Sequence, residues 1–180
     1  NQRVVWASDG AVALPIGDSS DRIVATHIAV ERREKWRSLF EGLPPDVPLR
    51  GVVHLCGVDG DLSDATTATL ATATRRACAS GLALTQGLLD AGLTPASGLW
   101  LVTRGAQVVA REAAPGLAGS TLWGLGKTLA LEAPQLSPHM VDVDADAADL
   151  PAGLADELLY PDRESHIAYR DQARLVARLV

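Results

Sequence analysis

Short β-branched runs alternate along the chain with longer stretches of helical period. Val4-Val5-Trp6 and Ala11-Val12-Ala13-Leu14 read as short strands on either side of an Asp9-Gly10 turn, and Ile23 to Val30 reads as another strand. From Glu31 to Gly42, Trp36, Leu39 and Phe40 recur at helical spacing with charges between them, until Pro44, Pro45 and Pro48 end the pattern. Leu49 to Gly57 has the continuous apolar core expected of a strand buried on both faces of a parallel sheet. Asp64 to Ala91 predicts a long helix of roughly 42 Å. Leu70, Ala73, Ala77, Leu84, Leu88 and Leu89 fall near its 3.6-residue period, and Asp64 and the following threonines suit its first turns. Gly81 inside it costs about 1 kcal/mol relative to Ala, so it marks a close packing contact or a small bend. Gly98 to Thr103 is the next buried strand. A Gly- and Ala-rich loop follows, then a helix from Ser120 to Glu132 that stops near Pro134, and a strand from His139 to Asp144. Ala147 to Tyr160 can hold a helix broken near its start by Pro151, and His166 to Arg170 and Arg174 to Val180 form a last strand pair around Asp171-Gln172. The β-α-β-α-β-α-β order predicts an α/β fold, a mostly parallel sheet flanked by helices, in one domain over residues 1–180.

Bulk properties narrow the class. The 180 residues are 47% hydrophobic and 21% charged, the balance of a globular domain large enough to fold without metals or disulfides. A net charge of -6 argues against a nucleic-acid partner, which needs a basic face. Cys56 and Cys78 stand in apolar stretches without CxxC spacing, and read as two buried free thiols in a reducing cytoplasm. No apolar run is long enough to span a bilayer. The chain starts at Asn1 without a signal-peptide pattern and ends on Leu179-Val180, which reads as a piece of a longer polypeptide.

A Rossmann enzyme holds its dinucleotide on a glycine-rich turn between the first strand and a helix. The turn here, Ala7-Ser8-Asp9-Gly10-Ala11, has one glycine and runs into another apolar segment. Gly124-Leu125-Gly126-Lys127-Thr128 resembles a phosphate loop only in part. Thr121 stands where a P-loop needs its first glycine, Leu129 replaces the third glycine of GxGxxG, and the segment lies inside a helical pattern. It reads as small residues that let a helix approach the sheet. Short-chain reductases use a Tyr acid, a Lys four residues on and a Ser on the preceding strand. Tyr160 is followed at that spacing by Glu164 and Tyr169 by Ala173, so neither fits. A degenerate echo exists in Trp123, Lys127 and Thr103, but indole does not serve as the acid. If the echo is a relic, Trp123→Tyr with Thr103→Ser moves the chain towards cofactor binding. His27, His54, His139 and His166 lack ligand spacing and read as core or edge residues. Asp142, Asp144 and Asp146 read as a solvated strand end, and Arg32 to Arg37 as an amphipathic or docking face.

Several segments, taken in order, resemble a known family. They are Leu49 to Leu55, the helix end Leu88 to Leu93, Leu99 to Ala106, Leu122 to Glu132, the Asp142-Val143-Asp144 strand, His166 to Arg170 and Ala177 to Val180. Together they resemble the N-terminal, structural subdomain of a ketoreductase from an actinobacterial modular type I polyketide synthase, a truncated Rossmann-like fold of the short-chain dehydrogenase/reductase kind. Lys127 stands where that pattern usually has Arg, and residues 1–48 match more loosely. The resemblance implies no catalytic, cofactor-binding or metal residues in this chain. NADPH and the catalytic groups belong to the second, catalytic subdomain, which the first half stabilises during β-ketoacyl reduction. Expected partners are that subdomain and neighbouring domains such as an enoylreductase or dehydratase, with the acyl carrier protein involved indirectly. A truncated sheet leaves an edge to cover, and the last strand, with Leu175, Val176, Leu179 and Val180, is the candidate for pairing with the next domain. The competing readings are a stand-alone or divergent NADPH-dependent reductase and a small-molecule sensor.

Overall fold

The computed structural model describes residues 4–9, 23–58, 66–109, 116–146 and 149–178. In chain order the elements are β1 (Val4–Ser8), β2 (Ile23–His27), α1 (Arg33–Glu41), β3 (Val52–Gly57), α2 (Thr67–Asp90), β4 (Leu99–Arg104), α3 (Leu117–Glu132), a 3-10 turn (Pro134–Leu136), β5 (Pro138–Val143), α4 (Ala152–Leu159), β6 (His166–Arg170) and β7 (Ala173–Val176). β1 and β2 pair in parallel as a two-stranded sheet, and the other five strands form a second sheet in the order β3-β4-β5-β6-β7. Its pairs are parallel except β6-β7, which is antiparallel. The expected α/β architecture, a mostly parallel sheet flanked by helices, is the one observed. The proposed strand at Ala11 to Leu14 lies outside the described residues.

Local chemistry sets the boundaries. Thr66 caps α2: Thr66 and Thr69 form a reciprocal capping box that satisfies two orphan amides, while the expected start at Asp64 lies outside the described residues. It ends in a Schellman motif, with Gly92 at φ +65°, its N–H on the Leu89 carbonyl and the Leu93 N–H on Leu88. The helix is therefore 24 residues and about 36 Å long. α3 begins at Leu117, three residues earlier than its apolar period suggests, and stops before Pro134, whose ring cannot continue it. The β6-β7 turn has both central residues, Asp171 and Gln172, at positive φ (48° and 64°), as a type I′ hairpin requires.

β4 is the spine of the sheet. Leu99 and Leu101 point into a cluster with Leu84 and Leu88 of α2, Leu129 of α3, and Trp36 and Phe40 of α1. Trp100 and Val102 point the other way, into a cluster with Val141, Val143, Leu154, Ile167 and Tyr169. β3 departs from expectation. Val53 is exposed and most of its other side chains are half-buried, because no described strand pairs with its second edge. Glycines set the closeness of the helices. A Cβ at Gly81 would lie 2.9 Å from Leu122, one at Gly87 would lie 2.5 Å from the Trp36 Cβ, and one at Gly126 would overlap Met140. Gly81 is thus a packing contact. Trp36 is likewise internal, seated on α2 with its indole N–H donating to the Val30 carbonyl at 2.7 Å, and it offers no docking edge.

Candidate functional site

In open parallel sheets ligands gather beyond the carboxyl ends of the strands. At that end of β4, the register places Thr103 beside Asp142 of β5, and Asp142 beside Ala168 of β6. Asp142 is fully buried, not solvated as its sequence position suggested. Its carboxylate accepts the Thr103 hydroxyl (2.6 Å), the Ala106 and Gln107 amides (2.8 and 3.1 Å) and the Arg170 guanidinium (2.8 Å). Arg170 also donates to the carbonyls of Gln107, Tyr169 and Asp142 at 2.7, 2.8 and 3.2 Å. The charge pair is satisfied on all sides, which a buried pair needs to be tolerated. It clamps the loop after β4 onto β5 and β6.

The Trp123 indole of α3 is buried beside this clamp and donates to the Thr103 hydroxyl at 3.0 Å. Two members of the echo therefore touch, and the third does not join them, since Lys127 faces solvent. Thr103 is engaged as donor to Asp142 and as acceptor from Trp123, and the indole packs with Ala106 and Met140. The indole stands directly beside Thr103. A Cβ at Gly57, at the end of β3, would already lie 2.7 Å from both Leu122 and the Val102 carbonyl.

The other candidates fall into packing roles. Gly126 lets α3 approach Met140, as the small-residue reading expects, whereas Gly124 is exposed and touches nothing within 4 Å of where a Cβ would be. Tyr160 is exposed. Tyr169 is buried and donates to Glu157 at 3.2 Å; burial, aided by the Glu157 charge, pushes its phenol up to about 12, away from the range of a proton-donating reductase tyrosine. His54 is buried with Nε2 2.7 Å from the Ser80 hydroxyl, and burial lowers its imidazole to about 4. His139 stacks on Trp100 with centroids 4.1 Å apart, and its pKa is lowered chiefly by burial. His166 lies against Trp123, lowered by burial and then by Lys127. His27 is exposed. Asp144 holds the backbone amides of Asp146 and Asp171, and no group of three or more His, Cys, Asp or Glu side chains among the described residues is arranged to hold a metal. Cys56 and Cys78 are half-buried, not fully buried, because β3 and the first half of α2 lie at the thinly covered edge of the sheet. The Asp142–Arg170 clamp was missed in the sequence. The signal for it was an acid inside the apolar run Met140 to Val143 and an arginine closing the strand that follows.

Comparison with known proteins agrees with this architecture. Residues 4–179 match the family described as the Rossmann fold domain of the polyketide synthase extender module SpnB. A phenolphthiocerol/phthiocerol polyketide synthase polypeptide of Mycobacterium tuberculosis is 38% identical over 82 residues, 46% of this chain and 4% of that protein. Erythronolide synthase EryA3 of Saccharopolyspora erythraea is 35% identical over 103 residues, 57% of this chain and 3% of that protein. The chain thus spans a few per cent of the length of these curated relatives. Among solved structures, an A-type ketoreductase from a modular polyketide synthase superposes with a TM-score of 0.68 at 26% identity, over 97% of this chain and 38% of that one. A short-chain alcohol dehydrogenase from Burkholderia multivorans shares the fold, with a TM-score of 0.63 at 16% identity over 88% of its chain. No helix among the described residues is long and apolar enough to cross a membrane. The chain belongs to the SpnB Rossmann-fold family, and is the N-terminal, ketoreductase-type subdomain of a modular polyketide synthase.

Proposed function

We propose that this domain is the structural, non-catalytic half of a polyketide synthase ketoreductase, a single unit over residues 1–180 that binds no NADPH and steadies the half that does. The observation that carries the reading is the hydrogen-bonded chain Trp123–Thr103–Asp142–Arg170. A carbonyl reductase needs a free hydroxyl at the strand end and a proton donor of depressed pKa beside it. Here the hydroxyl is engaged twice, the neighbouring ring is an indole, and the loop that would frame a substrate is fastened to a buried carboxylate. The cofactor, the substrate acyl chain and the choice of stereochemistry then belong to the second half.

The test is an NADPH titration of this domain, followed by its tryptophan fluorescence, with a ketoreductase catalytic half as positive control. The expected result is no saturable change up to millimolar cofactor. Saturation in the micromolar range would overturn the proposal and favour a divergent reductase. The second readout is stability. Mass action requires a catalytic half that depends on this domain to melt higher in its presence.

A further inference from the structure

We infer that the amino ends of β4 and β5 hold a binding site for a small organic carboxylate. Open parallel sheets take their ligands at the opposite, carboxyl ends of the strands, so this is a second place on the molecule. From Ser97 to Thr103 the extended chain covers roughly 20 Å, which separates it from the Thr103–Asp142 clamp. For the same reason it stands apart from the scaffold reading. A hollow of about 420 Å³ opens here between the turns that lead into β4, β5 and β6, a size usual for small-molecule sites. Two left-handed residues shape it: Gly98 (φ 84°) precedes β4 and Ser137 (φ 43°) precedes β5. A Cβ on Gly98 would lie 2.5 Å from the Ser137 carbonyl oxygen, so the two turns are pressed together and hold their places before any ligand arrives.

The groups left available in the hollow are donors. The Ser97 and Ser137 hydroxyls and the Arg163 guanidinium line it, and none of the three has a hydrogen bond or ion pair among the described residues. His139 lines it too, its ring stacked on Trp100 with centroids 4.1 Å apart and its buried Nδ1 without a hydrogen-bond partner. The neighbouring acids are already engaged. Asp162 accepts from Arg174 and from the Glu164 amide, each at 2.8 Å, and Glu157 is held by Arg174 and Tyr169. One guanidinium and two hydroxyls facing one hollow suit an acceptor that carries negative charge.

Charge selects among the oxyanions. Arg163 brings one positive charge, whereas Arg174 is shared by two carboxylates, Glu157 and Asp162, and leaves a negative surplus beside the hollow. A monoanion balances Arg163; a phosphate ester, close to doubly charged, would also meet the surplus carboxylate. Guanidinium and carboxylate match as a planar two-pronged pair. Pro138 and Pro161 stand beside these donors, so the rest of the ligand meets apolar walls. The same balance of charge disfavours the phosphates of NADPH, in line with the result expected of the cofactor titration.

The test is a titration of the 180-residue chain with benzoate, followed by backbone amide shifts in two-dimensional NMR. Phenyl phosphate and benzyl alcohol, which keep the ring and change the head group, form the second and third arms. The expected result is saturable shifts at Ser97, Gly98, Ser137 and His139, with the Ala106 and Gln107 amides at the clamp unmoved. Phenyl phosphate and benzyl alcohol should each bind at least tenfold more weakly than benzoate. Arg163 is exposed, so Arg163→Gln keeps the fold, and it should weaken benzoate at least tenfold. Arg178→Gln removes a guanidinium already paired with Glu164 and should leave benzoate binding unchanged. No saturation at tens of millimolar benzoate overturns the proposal. So do shifts that survive Arg163→Gln undiminished, which mark an adventitious additive only, and binding of either other probe as tight as that of benzoate. The scaffold reading fails separately, on saturable NADPH binding, whatever benzoate does.

Discussion

His54 is buried with a lowered pKa while its unfolded counterpart titrates at about 6.5, which makes it a source of acid sensitivity. The folded chain holds the ring neutral, so its contribution to stability is intact above about pH 6.5. It is lost as the pH falls towards 4, because over that window the unfolded chain alone takes up the proton. The loss amounts to about 3 kcal/mol. Thermal melts between pH 7 and 4 are expected to fall steeply, and His54→Gln should flatten that dependence; an unchanged slope would remove His54 as the cause. Asp142 and Arg170 pose the opposite problem. Removing one member leaves a buried charge alone, at a cost of about 3–5 kcal/mol. Arg170→Met should therefore lower the urea midpoint far more than Arg178→Met, whose pair with Glu164 is exposed and screened by solvent.

At the scale of elements, glycine placement decides how the three helices on one side of the sheet sit together. Gly87→Ala improves helix propensity by about 1 kcal/mol. The new methyl would nevertheless meet the Trp36 Cβ and lie 3.0 Å from the Arg37 amide, and α1 backbone cannot yield as a side-chain tip can. The net effect is expected to be destabilising by about 1–3 kcal/mol, measured by chemical denaturation. Gly124→Ala serves as the contrast. Its Cβ meets nothing, so the propensity gain should appear undiminished as a higher midpoint. The β6-β7 hairpin offers a third case. Gln172 sits at φ 64° where a type I′ turn favours Gly, and Gln172→Gly should stabilise by up to about 1 kcal/mol, read from the same unfolding curves.

For the whole molecule, the sheet is unevenly clad. α1, α2 and α3 cover one face of the sheet, with a cluster built on Leu84, Leu88, Leu99 and Leu101, while the described part of the other face is served mainly by α4. β3 ends the larger sheet half-covered, and Leu82, Leu89, Leu117 and Leu131 of α2 and α3 stand exposed. Such a domain has stability to gain from a partner that covers those surfaces. In a polypeptide carrying the rest of the ketoreductase, its melting transition should lie above that of the domain alone; coincident transitions would count against mutual support.

Periodicity alone made most of the elements legible, because apolar residues must recur every second residue on a strand and at a 3.6-residue period on a helix to reach one core. It placed β4, α2, α3, β5 and β6 within a few residues. It erred where a side chain's environment depends on distant chain. Asp142 looked like a solvated strand end, and only the arrival of β6, 28 residues on, brings Arg170 to bury with it. Trp36 stood both at helical spacing with Leu39 and Phe40 and inside a charged run, and it is Gly87 of α2 that seats it in the core. The sequence by itself determined the order of strands and helices, since hydrophobic period is a local property. Which hydroxyl is engaged, which charge is buried and which helix face is left bare were decided by tertiary structure, because each depends on what packs across the sheet from a residue and not on its neighbours along the chain.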